Sequence, residues 1–341
     1  MKILEIRHVG LLSPATAIHA KFYLEAWGLR QAGEDRSVGE YRHARYFRGA
    51  STEHHILSLH AAKRPGLHHL AFSVDGCEAV DGAATELERR GITIVANPGV
   101  LDEPGGGYGL RFLDPENRCI ELSAGVARHT NEGADANGGS DANGGSDANG
   151  GSDANGGSDA NGGADANGGP LRLCHVGLNT ARFEQIVAFY TDVLGFRVSD
   201  WIEDQMVFLR CGRRHHVVVF TRADHASVNH VAYGMSGVDA LMKRVSNLRD
   251  RGQEPDWGPG RHGPGNNIFC YYKDPAGYVN ECSSDLAYIE DEATHEPAVW
   301  RRVPETMDYW GTAGAPGSGV RKAMAGDPDP GWTAHGLVET R

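Results

Sequence analysis

The stretch LCHVGLNTARFEQIVAFYTDVLGFR, residues 173–197, decides the fold. Its first eight residues read as a strand. In the part that follows, Phe183, Ile186, Val187, Tyr190 and Leu194 recur at helical spacing and Gly195 ends the run. The same pattern is written earlier in the chain. RHVGLL (7–12) aligns with CHVGLN (174–179), and FYLEAWGLR (22–30) with FYTDVLGFR (189–197). GLHHLAF (66–72) aligns with SVNHVAY (227–233), and LDPENRCIEL (113–122) with KDPAGYVNEC (273–282). The order is collinear, so the chain is an internal duplication, and that fixes the architecture before any single residue does.

Each half divides again. After the opening strand and helix come the strand-like segments FRVSDW, MVFLRC and HHVVVF. The cycle then restarts with VNHVAYGM, a helix near VDALMKRVSNLRDRG, and strands around IFCYYKD and YVNECSS. The unit is β-α-β-β-β. Four copies predict an α+β protein of two domains, 1–132 and 170–288. From residue 289 to 341 an extension rich in Trp and Pro is expected to wrap the second domain.

Between the halves, residues 133–169 repeat DANGG six times. No side chain there is both apolar and larger than Ala, so the segment cannot offset its ordering entropy by burial and reads as a flexible linker. A coil of ~37 residues spans roughly 30–35 Å on average. The period of six and the lack of a large apolar residue per repeat argue against a calcium-binding solenoid.

Composition excludes several classes. The chain has 341 residues and a net charge of −12, which disfavours a nucleic-acid binder. No apolar run reaches the ~20 residues needed to span a bilayer, so no membrane association is expected. The start, MKILEIRHVG, lacks the features of a signal peptide. The six cysteines form no CxxC pair and no framework, which points to a reduced, cytoplasmic protein. A homo-oligomer is the expectation for a cytoplasmic protein of this size.

Chemistry concentrates in the second half. His175 lies on the first strand of one module and His230 at the equivalent place in the next, while Glu281 lies on the final strand. A histidine on a strand is ordinarily a hydrogen-bonded core or surface residue. Matched positions in duplicated modules weigh against that, as does a carboxylate amid the apolar and small residues of GYVNECSS. Two histidines and one carboxylate on one curved sheet form a facial triad for a divalent metal, and open positions beside it suit Fe(II) and O₂. Mn(II) uses the same ligands.

At this point the sequence resembles the two-domain extradiol catechol dioxygenases of the vicinal-oxygen-chelate superfamily. The resemblance covers the globular chain and is strongest from His175 to Glu281. It rests on His175 in an H-V-x-L context, on His216 before His230, and on GRH ending at His262, followed by Tyr271 and Glu281 around a DPAG turn. It implies paired modules forming curved mixed sheets, each around a central funnel. It also implies metal ligands His175, His230 and Glu281, an acid–base role for His216, and substrate binding by His262 and Tyr271. The implied substrates are a catechol-type aromatic and O₂, with ring opening beside the two hydroxyls. Strand alternation predicts that His215 faces away from His216 as scaffold, that Tyr272 enters the core, and that Cys174 and Cys282 point away from the metal. His225 reads as a loop residue, and Arg301 and Arg302 as surface arginines able to meet a substrate carboxylate.

The first half keeps His8, His69 and Glu121, and His55 where the second half has His216. Ten residues before Glu121, however, stands Arg111 instead of Tyr, and nineteen before it stands Asp102 instead of His. The usual family pattern lacks a metal in this domain. His54 and His68 have no matched role, and the first site reads as a relic with its side chains hydrogen-bonded to one another. Two alternatives remain open: another metal-dependent enzyme of the superfamily (4-hydroxyphenylpyruvate-type oxygenase, glyoxalase or epimerase), and a non-catalytic protein binding aromatic compounds. Neither needs His216, His262 and Tyr271 together.

Overall fold

A computed structural model describes residues 1–33, 44–129 and 168–338. The DANGG segment lies outside the described residues except for Gly168 and Gly169, so its reading as a linker stays an expectation.

The first half contributes strands β1 (Ile3–Ser13), β2 (Arg30–Gln31), β3 (Arg45–Arg48), β4 (Leu57–Ala61), β5 (Gly66–Val74), β6 (Ile94–Val100), β7 (Tyr108–Leu113) and β8 (Cys119–Ala124). They form one sheet in the order β2-β3-β4-β1-β5-β8-β7-β6. The second half contributes β9 (Arg172–Thr180), β10 (Arg197–Ile202), β11 (Met206–Arg210), β12 (Val218–Arg222), β13 (Ser227–Gly234), β14 (Trp257–Arg261), β15 (Ile268–Lys273) and β16 (Val279–Ser284). With β17 (Ala298–Trp300) from the extension, these give the order β14-β15-β16-β13-β9-β12-β11-β10-β17. Both sheets are mixed. β1 and β9 pair parallel with β4 and β12, and antiparallel with β5 and β13. The opening strands of two modules therefore lie side by side at the centre of each sheet, as the duplication predicts.

Helices α1 (Thr16–Lys21), α2 (Cys77–Arg89), α3 (Phe183–Ala188) and α4 (Val238–Arg249) follow the opening strands of the four modules. The first and third are shorter than their hydrophobic period suggests, because their last turns widen into π-helix over Phe22–Trp27 and Phe189–Val193. Gly28 and Gly195 then close them with φ of +86° and +77°, a conformation that costs other residues more.

One core joins the two sheets, drawing Val9, Leu70 and Phe72 from the first half and Val176, Phe196 and Val231 from the second. The Phe72 and Phe196 rings meet edge to face at 5.3 Å. A buried polar clamp fixes the halves in register. Asp274, in the DPAG turn, accepts hydrogen bonds from His19 Nε2 (2.5 Å) and Tyr23 OH (3.0 Å), both from the first half. Its other carboxylate oxygen accepts from the backbone N–H groups of Ala276 and Tyr278.

The extension goes further than wrapping the second half. β17 adds to the edge of the second sheet, α5 (Pro304–Met307) and α6 (Ser318–Ala325) follow it, and the chain then returns to the first half. There Trp332 Nε1 donates to His68 O at 2.7 Å and Asp329 Oδ1 accepts from Leu67 N at 2.9 Å. Among the described residues no helix is long and apolar enough to cross a membrane.

Removing the Asp274 carboxylate leaves buried His19 Nε2 without its partner and Tyr23 OH with Asn280 Oδ1 in place of the charge. Asp274→Ala is expected to lower unfolding stability by about 3 kcal/mol, read by urea denaturation. A loss within about 0.5 kcal/mol would mean the clamp does not hold the halves together.

Candidate metal centre

The second sheet carries the predicted residues on neighbouring strands: Tyr271 on β15, Glu281 on β16, His230 on β13 and His175 on β9, with His216 just before β12. Strand period decides which faces share the site. Tyr271 pairs directly with Glu281, while Cys270, Tyr272 and Cys282 point the other way into the core.

Alternation alone does not build the rest, because two β-bulges intervene. The β13–β9 register skips Asn229 on β13 and Cys174 on β9. The extra residue puts two consecutive side chains near one face. Asn229 thereby sits beside His230, and its Oδ1 lies 2.8 Å from His230 Nδ1. This turns His230 Nε2 inward. Cys174 packs with Ala232 and Leu286 on the triad's own face of the sheet, so the expectation that it points away is wrong for Cys174 and right for Cys282. Gly177 lies opposite His230 in the ladder, and a Cβ there would overlap the imidazole. Glycine is required at this close approach.

The donor atoms converge. His175 Nε2 is 3.0 Å from His230 Nε2 and 3.2 Å from Glu281 Oε2, and His230 Nε2 is 3.5 Å from the same oxygen. Ligands about 2.1 Å from a common ion and at right angles stand about 3.0 Å apart, so the spacing fits adjacent positions around one metal. Glu281 Oε1 accepts from Asn267 Nδ2 at 2.9 Å, but Oε2 is buried with no hydrogen-bond partner. A cation between these atoms satisfies that oxygen and fits the donor set. Burial, ahead of the neighbouring charges, lowers His175 and His230 to about 3 and raises the Glu281 carboxyl. Both imidazoles are thus neutral at neutral pH, the form in which imidazole can ligate a metal.

Around the triad two further pairs take shape. His262 Nδ1 donates to Met307 O at 2.8 Å, which leaves Nε2 as acceptor for Tyr271 OH at 3.0 Å. His216 lies with its ring 4.3 Å from that of His175. His215 does not turn away from it, because residues 213–217 are irregular rather than strand. Instead His215 Nδ1 meets His216 Nδ1 at 2.9 Å and His215 Nε2 donates to Asp200 Oδ2 at 3.0 Å. This chain assigns the proton of His216 to Nδ1 and leaves its Nε2 bare. His225 meets the extension, through Gly326 O at 3.2 Å.

A cavity of about 280 Å³ opens onto His175, His216, His230, His262 and Tyr271. Ile202, Phe208, Trp257 and Met324 make much of its wall apolar, and Arg302 faces it while Arg301 does not.

The first half repeats this geometry with different chemistry. Its bulges fall at Arg7 and His68, the counterparts of Cys174 and Asn229. His68 Nδ1 meets His69 Nδ1 at 2.7 Å, so His68 has the matched role that the sequence reading denied it. His8, His55, His69 and Glu121 come together as expected. Asp102 is exposed and takes no part, whereas Glu103, one residue on, is buried among them.

The family model for the Glyoxalase/Bleomycin resistance protein/Dioxygenase superfamily matches residues 5–122 and 172–282. The chain belongs to that superfamily. It is 27% identical to metapyrocatechase 2 of Cupriavidus necator, over 89% of this chain and 90% of the relative. Identity to a manganese-dependent 2,3-dihydroxybiphenyl 1,2-dioxygenase of Geobacillus genomosp. 3 is 25%, over 93% and 96% of the two chains. Among solved structures, the Mn(II)-bound glyoxalase from Novosphingobium aromaticivorans superposes with a TM-score of 0.78 at 33% identity, covering 94% of each chain. The superfamily's paired-module fold accounts for both sheets.

Buried histidines make the metal-free protein acid-sensitive. Burial pushes His69 to about 4 and holds His8, His55, His60, His68 and His216 well below their ordinary value of 6.5. Below pH 6.5 the unfolded chain therefore binds more protons than the folded one. Buried Glu103, Asp114, Glu281 and Asp329, whose carboxyls are raised by burial, act in the opposite sense but are outnumbered by the histidines, so unfolding free energy is expected to fall as pH drops from about 6.5 to 4.5. Urea midpoints across that range check it, and an unchanged midpoint at pH 5 would contradict the neutral buried cluster.

Proposed function

We propose that this protein is an extradiol ring-cleaving dioxygenase acting on a catechol-type aromatic, with His175, His230 and Glu281 holding Fe(II), or Mn(II) in its place. The observation that carries the reading is the meeting of three donor atoms within 3.0–3.5 Å beside a neutral His216 and the His262–Tyr271 pair. A bound divalent metal supplies Lewis acidity toward the diol and open positions for diol and O₂.

The chain's own residues do the remaining work. His216, neutral through burial and with a bare Nε2, accepts a proton from the diol and returns it later in the reaction. His215 and Asp200 hold that imidazole in orientation and steady it when it carries the proton. Tyr271 stays protonated, because burial and then Glu281 push it well above its ordinary value, and with its O–H given to His262 its oxygen is free to accept a hydrogen bond from a substrate hydroxyl. His262 fixes the phenol's direction. The apolar wall of Phe208, Trp257 and Met324 suits an aromatic ring and limits water. Arg222, Arg302 and Arg321 face the cavity and, among the described residues, no Asp or Glu lines it, so its outer part favours an anionic ring substituent over a cationic one. Arg222 is already tied to Glu184, at 2.6 Å.

The similar Mn(II)-bound glyoxalase keeps a second reading in view. A glyoxalase role leaves the Asp200–His215–His216 chain and the His262–Tyr271 pair without an evident task, so ring cleavage is favoured. A cytoplasmic site of action accords with all six cysteines being unpaired.

The protein is to be loaded anaerobically with Fe(II) or Mn(II), mixed with a panel of catechols and exposed to air. O₂ uptake with a new visible absorbance is expected for at least one catechol. His216→Ala should retain one metal in this site and lose turnover by about 10²–10⁴-fold. No uptake with any catechol and either metal would contradict the reading, and loss of the metal from His216→Ala would contradict the role of His216.

A further inference from the structure

We infer that the first half holds a second divalent cation, bound by His8, His69, Glu103 and Glu121 in a closed, non-catalytic site. One donor atom from each of these buried residues lies within 4.8 Å of the others. His8 Nε2 and His69 Nε2 face each other at 2.6 Å, and His8 Nε2 is 3.8 Å from Glu103 Oε2. This placement is independent of the proposed ring cleavage.

Arg111 orients the two carboxylates. Its guanidinium binds Glu121 Oε2 at 2.6 and 2.9 Å and Glu103 Oε1 at 3.2 Å. Each carboxylate is thereby held by one oxygen and presents the other. Those two oxygens, Glu103 Oε2 and Glu121 Oε1, are buried and have no hydrogen-bond partner. Both belong to side chains at most 4% exposed. Orphaned acceptors at such depth are costly, and a cation between them removes the cost. His69 is held from behind by His68, as His230 is by Asn229. In metal centres such supporting bonds aim the ligand nitrogen.

Charge balance permits the ion despite two nearby arginines. Glu103 offsets Arg111, and Glu53 lies 3.8 Å from Arg7. Glu121 Oε1 lies 3.9 Å from Arg7 Nη1, so the ion would share that oxygen with the arginine, whereas Glu281 has a neutral amide, Asn267, behind it. Two imidazoles and two carboxylates suit a first-row divalent cation such as Mn(II) or Zn(II). Four protein donors make the site closed, whereas the triad of the second half is open. Arg111 pairs with Glu121 where Tyr271 pairs with Glu281, so the substrate-binding phenol is replaced by a guanidinium. The reading of this half as a relic overlooked Glu103, which supplies the fourth donor.

The test is metal stoichiometry. Full-length protein is stripped with chelator, loaded with excess Mn(II), passed through a desalting column and measured by elemental mass spectrometry. Two Mn(II) per chain are expected for the natural sequence, and one each for Glu281→Gln and for Glu103→Gln. Crystals of the Mn(II)-loaded natural protein should give an anomalous peak between His8, His69, Glu103 and Glu121, which does not depend on any variant folding. One Mn(II) per chain in the natural protein, lost in Glu281→Gln, would overturn the inference. So would crystals whose Mn(II) peak lies only among His175, His230 and Glu281.

Discussion

The antiparallel pairing of the two central strands in each sheet is the constraint on which the rest depends. It sets one module's opening strand against the next, with bulges at Cys174 and Asn229 in the second half and at Arg7 and His68 in the first. Those bulges bring His175 Nε2 within 3.0 Å of His230 Nε2 and His8 Nε2 within 2.6 Å of His69 Nε2. Gly177 and Gly10 lie under the second histidine of each pair, where any Cβ would overlap the ring. The parallel neighbour of β13 then delivers Glu281, and that of β5 delivers Glu121. Ligand geometry is thus a property of backbone pairing, with little left to side-chain rotamers.

The two halves share this frame and differ in what surrounds it. Around His175, His230 and Glu281 stand a bare imidazole nitrogen, a phenol and an apolar cavity. Around His8, His69 and Glu121 stand a second carboxylate and a guanidinium that ties both acids. One arrangement leaves room for a ligand and the other fills it. Duplication followed by divergence at Tyr271 and Arg111 turns one geometry into an open site and a closed one.

Much of this was legible in the sequence because it depends on periodicity and repetition. The duplication predicted the paired modules, and matched positions singled out His175, His230 and Glu281. Period-2 alternation placed Tyr271 and Tyr272 on opposite faces. What escaped was what bulges and irregular segments decide. His215 was read as facing away from His216, yet the chain is not extended there, and His215 bonds both His216 and Asp200. Cys174 was placed on the wrong face because a β-bulge falls at it. Glu103 was missed because spacing from Glu121 selected Asp102, and the glycine-rich turn after it shifts the count by one residue. The fold of the extension back onto the first half, through Trp332 and Asp329, left no periodic trace.

The central claim is that the second half opens an aromatic ring beside a diol and places both atoms of O₂ in the product. Mass spectrometry of the product formed under ¹⁸O₂ by the metal-loaded protein tests it most directly. The account predicts a ring-opened product carrying two labelled oxygens, with the broken carbon–carbon bond next to, not between, the two hydroxyl carbons. A product without label, or one cleaved between the hydroxyls, would contradict it.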